Sequence, residues 1–231
     1  MAVNKEKYFE LKEELDKKNV TLIAVSKTKP AEDILELYNL GHRDFGENYV
    51  QELLQKHEQL PKDILWHFIG HLQSNKAKYI VPFVHLIHGI DSARLLQEVN
   101  KQAAKINRVV HCLLQVHIAR EETKFGLDDD EVKTLFQQSI ADNTLPHVAI
   151  KGLMGMASFT DDAEKIRIEL QHLKSLFNSL LQLQYNNLSA SHHEMKILSM
   201  GMSSDYNIAI EEDSNMVRIG SLLFGARDYN K

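Results

Sequence analysis

Eight short apolar or β-branched runs, at 21–26, 43–45, 65–69, 85–88, 109–116, 150–154, 196–200 and 216–219, recur along the chain, with longer helical patterns between most of them. Such alternation implies βαβ units, whose consecutive strands run parallel and need a crossover to connect them. Eight strands are what closes a (β/α)8 barrel, and 231 residues lie within the roughly 200–250 that such barrels commonly occupy. The expected fold class is therefore α/β, a single-domain TIM-type (β/α)8 barrel over 1–231. An open doubly wound sheet is the alternative. It lacks its usual Gly-rich turn after the first strand, where the sequence reads Ser26-Lys27-Thr28-Lys29-Pro30.

The intervening patterns read as helices. Pro30 opens one carrying Ile34, Leu35, Leu37, Tyr38 and Leu40, at a position where its missing N–H costs nothing. A second carries Leu95, Leu96, Val99 and Ala103, with Asp91 or Ser92 as its cap. The longest spans about 161–183, with Ile166, Leu170, Leu173, Phe177, Leu180 and Leu181 on one face. Tyr8, Leu11 and Leu15 give 1–19 the spacing of an amphipathic helix laid on the body. With only 4 Pro and 10 Gly and no linker-like stretch, nothing divides the chain into two domains.

Composition removes several function classes. A formal net charge of −5 argues against a generic nucleic-acid binder, which needs excess cations to displace counterions from phosphates. No run approaches the roughly 18 apolar residues of a membrane span. The densely charged N-terminus fits neither a secretory signal nor a transit peptide. The single cysteine, Cys112, cannot form an internal disulfide, so a reducing, cytoplasmic setting is expected.

The residues suited to chemistry fall at the ends of strand candidates, where barrels place their sites. Lys27 shares the facing of Ile23 and Val25, so it points inward at the barrel mouth if they do. Partial burial and a cationic neighbour such as Lys29 would suit its amine to Schiff-base chemistry; the plain alternative is a surface lysine in a basic turn. Ser199-Met200-Gly201-Met202-Ser203-Ser204 follows the seventh run, and Gly220-Ser221 follows the eighth. Glycine lets backbone N–H groups approach an anion and serine adds donors, so Met202, Ser203, Gly220 and Ser221 are candidate phosphate contacts.

Arg218 faces opposite to Val217 and Ile219, hence inward. A buried arginine needs a partner, either a carboxylate such as Glu47 or Asp91 or the ring nitrogen of a cofactor. Asn48 offers an amide at the same rim. His67 stands among apolar residues, where a satisfied core histidine is the plainer reading, and it is carried as a cofactor contact alongside Asn48. No metal site is expected: the tight cluster His192-His193-Glu194 lacks helical ligand spacing.

Taken in order, several stretches resemble the pyridoxal phosphate homeostasis family over nearly the whole chain. They are Ala24-Val25-Ser26-Lys27-Thr28-Lys29-Pro30, Phe45-Gly46-Glu47-Asn48-Tyr49-Val50-Gln51-Glu52, His67-Phe68-Ile69-Gly70, Leu72-Gln73, Asn75-Lys76, Gly152-Leu153-Met154, Leu198-Ser199-Met200-Gly201-Met202-Ser203, Val217-Arg218-Ile219-Gly220 and Phe224-Gly225-Ala226-Arg227. The resemblance implies a fold like the barrel domain of alanine racemase and pyridoxal 5'-phosphate (PLP) held as a Schiff base by Lys27. It also places the phosphate loop on Met202, Ser203, Gly220 and Ser221 and the pyridine-nitrogen arginine on Arg218. His117, Gly89 and Asp213-Ser214-Asn215 depart from the common pattern.

These implications give a monomeric PLP carrier serving intracellular homeostasis, with PLP-dependent apoenzymes as recipients and no robust turnover of its own. An arginine beside the pyridine nitrogen keeps that nitrogen unprotonated and the ring a weaker electron sink. The main alternative is a true PLP enzyme such as an amino-acid racemase, which would need Tyr49 or His67 as a second base. Two others are a cofactor-free barrel using Lys27 as an aldolase-like base and an interaction scaffold.

Overall fold

The computed structural model describes residues 3–119, 125–142, 144–186 and 193–225. All eight expected strands form: β1 (Thr21–Val25), β2 (Asp44–Glu47), β3 (Leu65–Phe68), β4 (Leu86–Ile90), β5 (Val110–Val116), β6 (Val148–Gly155), β7 (Ile197–Met202) and β8 (Met216–Ile219). Each pairs in parallel with the next, and β8 returns to β1 through Ile23↔Arg218, closing the barrel. The doubly wound alternative is thereby excluded.

Helices wrap the outside in chain order: α1 (Lys5–Lys17), α2 (Ala31–Asn39), α3 (Val50–Gln59), α4 (Ala77–Ile80), α5 (Ala93–Ala104), α6 (Asp129–Asp142), α7 (Ala163–Asn186), α8 (Tyr206–Glu211) and α9 (Ser221–Phe224). Of the two caps offered for α5, Ser92 serves: its Oγ accepts from Leu95 N–H at 3.3 Å. Asp128 and Glu131 start α6 as a reciprocal capping box, each carboxylate accepting the other residue's N–H at 2.8 and 2.9 Å. Tyr8, Leu11 and Leu15 are buried along α1, and Asn4 N–H bonds to Leu223 O at 2.8 Å, tying the start of the chain to α9.

Strand alternation sorts side chains into two shells. Leu22 and Ala24 join a large apolar layer between strands and helices, with Phe45, Trp66, Leu37 and Leu170. Ile23 joins a smaller cluster inside the ring with Leu86, Leu113, Met154 and Met216. In β6 the alternation slips once. The β5–β6 register shifts between Cys112 and Leu113, where Gly152 sits at φ +154 with Ile197 O 1.8 Å from where a Cβ would stand. Only glycine fits there, and the slip lets Leu153 pack outward while Met154 fills the ring.

Candidate functional site

At the C-terminal ends of the strands lies a cavity of about 400 Å3, within the range of small-molecule sites. Its wall contains Lys27, Lys29, Asn48, Met202, Ser203, Arg218, Gly220 and Ser221. Seven of the eight sequence-derived site residues therefore meet around one space. His67 does not line it.

Lys27 is aimed by the turn that follows β1. Lys29 N–H bonds to Ser26 O at 3.0 Å, and Thr28, at the third position of that turn, holds φ +65. A β-branched residue in the left-handed region is strained and persists only when its surroundings fix it. Here Thr28 N–H donates to Glu52 Oε1 at 2.6 Å, while Lys56 Nζ donates to Ser26 O (2.8 Å), Glu47 Oε1 (2.7 Å) and Glu52 Oε1 (2.7 Å). Ser26 Oγ adds a bond to Glu47 Oε1 at 2.6 Å. This buried clamp lies outside the strands and leaves the half-buried Lys27 on the cavity side. Burial pushes the Glu47 carboxyl up to about 7 despite Lys56, and its Oε2 has no partner. Lys29, expected as a cationic neighbour, donates its ammonium to Phe224 O at 2.8 Å.

The two loops after β7 and β8 touch: Gly220 N–H reaches Ser203 Oγ at 3.3 Å. A Cβ at Gly220 would come within 3.3 Å of Val25 O, so the backbone approaches β1 closely there. Met202 forms wall rather than an open donor, because its N–H is given to Asp205 Oδ1 at 2.6 Å.

Arg218 is inward and buried, as its facing required, but neither expected carboxylate meets it. Asp91 pairs with His71 at 2.7 Å, and Glu47 faces outward to the clamp. Instead Arg218 Nη1 donates to Ser199 O (2.8 Å) and Ser199 Oγ (2.7 Å), and Nη2 to Gly155 O (2.9 Å). Burial lowers its pKa to about 10, which leaves it cationic at neutral pH. Among the described residues, Nε takes no protein acceptor.

His67 lies deeper in the ring. Its Nδ1 meets His88 Nε2 at 3.0 Å and its Nε2 meets Asp44 Oδ1 at 3.0 Å, so both nitrogens are engaged away from the cavity. The core-histidine reading holds: with both nitrogens engaged by His88 and Asp44, His67 does not reach the cavity wall where a cofactor contact was expected. Tyr49, the other candidate second base, is 57% exposed and also absent from the wall.

Elsewhere the chemistry is structural. Burial drives the Cys112 thiol upward, as suits packing. His193 Nδ1 accepts from Ile150 N–H at 3.0 Å, while His192, Ala226 and Arg227 lie outside the described residues. Among the described residues no three metal-type side chains converge, and no helix is long and apolar enough to cross a membrane. Asp213, in the departing turn, carries φ +65, a conformation that aspartate tolerates.

The clamp and the Arg218 partners were not foreseen from sequence. Glu52 and Lys56, four apart on α3, were the available signal for the former.

Comparison with known proteins agrees with this geometry. The sequence profile of the alanine racemase N-terminal domain matches residues 5–228. A pyridoxal phosphate homeostasis protein of Aquifex aeolicus is 44% identical over 209 residues, covering 90% of this chain and 87% of that one. PipY of Synechococcus elongatus, in a structure with PLP bound, superposes with a TM-score of 0.83 at 34% identity, covering 95% of this chain and 99% of that one. Its structure without PLP gives a TM-score of 0.86 over the same coverage.

Proposed function

The chain belongs to the alanine racemase N-terminal domain family and, within it, to the pyridoxal phosphate homeostasis proteins, and we propose that it binds PLP at the barrel mouth as a reversible carrier. The observation that carries this reading is the meeting of Lys27, Ser203, Arg218, Gly220 and Ser221 around one cavity. PLP supplies an aldehyde that condenses reversibly with a primary amine.

The residues present fit that group. Asn48 Oδ1 is buried at the cavity wall without a hydrogen-bond partner, as a side chain awaiting a ligand donor would be. Lys27 presents the amine, on a turn that the clamp holds rigid. Ser203, Ser221 and the close backbone at Gly220 supply donors to an anion, with Met202 as wall. Arg218 supplies a permanent donor to a ring acceptor.

Among the described residues, neither side chain expected as a racemase's second base meets the cavity. A second base would have to stand at the cavity, whereas His67 is bonded on both nitrogens below it and Tyr49 is not in its wall. Holding and release of the cofactor is what the geometry supports. We place the protein in the cytoplasm as a monomer that passes PLP to PLP-dependent apoenzymes, a reading supported by its lone buried Cys112 and its family.

Titrating the protein with PLP tests this. A visible absorbance band should grow to one equivalent in the wild type and fail to form in Lys27→Ala, whose melting temperature should stay near wild type. Exchange of amino-acid α-protons at ordinary enzymatic rates, above about one per second, would instead establish the racemase.

A further inference from the structure

The interior of a barrel of this class is usually filled by aliphatic layers. Here a line of polar groups crosses it. Arg218 Nη1 meets Ser199 Oγ at 2.7 Å, and Ser199 Oγ meets His88 Nδ1 at 3.2 Å. His88 Nε2 meets His67 Nδ1 at 3.0 Å, and His67 Nε2 meets Asp44 Oδ1 at 3.0 Å. The line joins β8, β7, β4, β3 and β2. It begins in the wall of the mouth cavity and ends in that of a second cavity at the opposite, N-terminal end, lined by Lys12, Asp16, Arg43 and Asp44.

With both histidines neutral, one direction satisfies every group. A guanidinium only donates, so Ser199 Oγ accepts from Arg218, and a carboxylate only accepts, so His67 donates to Asp44 from Nε2. His67 Nδ1 then accepts from His88 Nε2–H, and His88 Nδ1 accepts from the Ser199 hydroxyl. Complete burial above all, with the Arg218 cation nearby, holds His88 well below the usual histidine range, in keeping with a neutral His88. The chain thus runs from a fixed cation to a fixed anion with each donor matched to one acceptor. Bonds aligned this way polarise one another in a low-dielectric interior.

We infer that Asp44, His67, His88 and Ser199 are positioning residues that fix the guanidinium of Arg218 for the cofactor ring, with the Asp44 carboxylate anchoring the far end of the line. This rests on the reading that Arg218 meets the ring nitrogen of PLP. The charge of buried Asp205 favours the cationic Arg218, while the line orients it, since its hydrogen bonds run to Ser199 and Gly155 and not to a carboxylate. The line also accounts for two buried histidines where aliphatic side chains would pack as well.

The test uses two ligands and two variants. The ligands are PLP and its ring-carbon analogue, in which CH replaces the pyridine nitrogen. Asp44→Asn removes the terminal charge and keeps the size; Ser199→Ala removes the joint beside Arg218 and changes little volume. Both should weaken PLP about tenfold, the lower end for a hydrogen bond to a charged group. Affinity for the ring-carbon analogue should stay within about twofold of wild type. Equal loss for both ligands would mean that the chain serves only the fold. Unchanged affinity for both would mean that the backbone carbonyls of Ser199 and Gly155 suffice. Either result overturns the inference.

A ligand-free arm keeps it separable from the cofactor reading. In protein labelled with 15N-histidine, His67 and His88 should both be neutral and Nε2-protonated at pH 7. A cationic His67 or an Nδ1-protonated His88 would overturn the assigned direction. Failure of the wild type to bind PLP at all would overturn the cofactor reading, and with it the role toward the ring, whatever the labelled histidines show.

Discussion

Between strands and helices the protein packs Phe45, Trp66, Leu37, Phe136 and Leu170 into one continuous apolar layer, beside which the Glu47–Lys56 clamp is buried. Inside the ring, five buried apolar side chains share the space with His67, His88, Ser199 and Arg218. The outer layer is where burial stabilises the fold. The inner column gives up some of that stabilisation to hold one cation in one pose. A substitution in the layer should therefore change stability and spare the site, and a substitution in the column should do both or the reverse.

The largest effect belongs to the layer. Leu170→Ala, at a fully buried position on α7, should lower unfolding free energy by about 2–5 kcal/mol in denaturant titration. Its folded fraction should keep wild-type PLP affinity, and a parallel loss of affinity would blur the division between shells.

Acid and base should separate the shells next. His88 titrates lower in the native state than in the unfolded one, so below about pH 6.5 the unfolded chain binds the extra proton. Stability should then fall with falling pH, by at most about 1.4 kcal/mol per pH unit. Glu47 titrates higher in the native state, from 4.5 to about 7, so the native chain holds the extra proton within that window. Its contribution should fall as pH rises through the window. In melting curves across pH 5–8, a range spanning about the ordinary histidine pKa, His88→Gln should remove a rise of stability with pH and Glu47→Gln a fall of stability as pH climbs to about 7. Identical profiles for both variants would contradict these assignments.

Arg218→Gln should act on both properties. Its three buried hydrogen bonds are too distant for a shorter side chain, so apo stability should fall by about 1–3 kcal/mol. PLP affinity should fall on the same scale and the bound spectrum should shift. Destabilisation with unchanged affinity per folded molecule would restrict Arg218 to the fold. The smallest effect expected is from Ser203→Ala, which frees Gly220 N–H and removes one hydroxyl from the anion loops. It should weaken PLP by about 0.5–1.5 kcal/mol in a binding titration while leaving the melting curve alone.

What could be read from sequence follows the same division. Short apolar and β-branched runs located all eight strands, and alternation within them is a local property. It also gave the inward facing of Lys27 from Ile23 and Val25, and that of Arg218 from Val217 and Ile219. Depth and cross-barrel partners were not legible. His67 has the parity of an interior residue, but its distance below the mouth depends on where β3 ends relative to β2 and β4. Arg218 reaches Ser199 and Gly155 because the β7–β8 register shifts between Ser199 and Met202, a displacement that neither strand announces alone. The clamp was half legible, since Glu52 and Lys56 share a face of α3 but their target, the strained turn at Thr28, is set by tertiary packing.

Peptide mass spectrometry of the PLP-loaded protein after borohydride reduction bears most directly on the whole account. The account predicts one pyridoxyl label per chain, on Lys27. A label found chiefly on Lys29 or Lys76, or none at all from protein saturated with PLP, would contradict it.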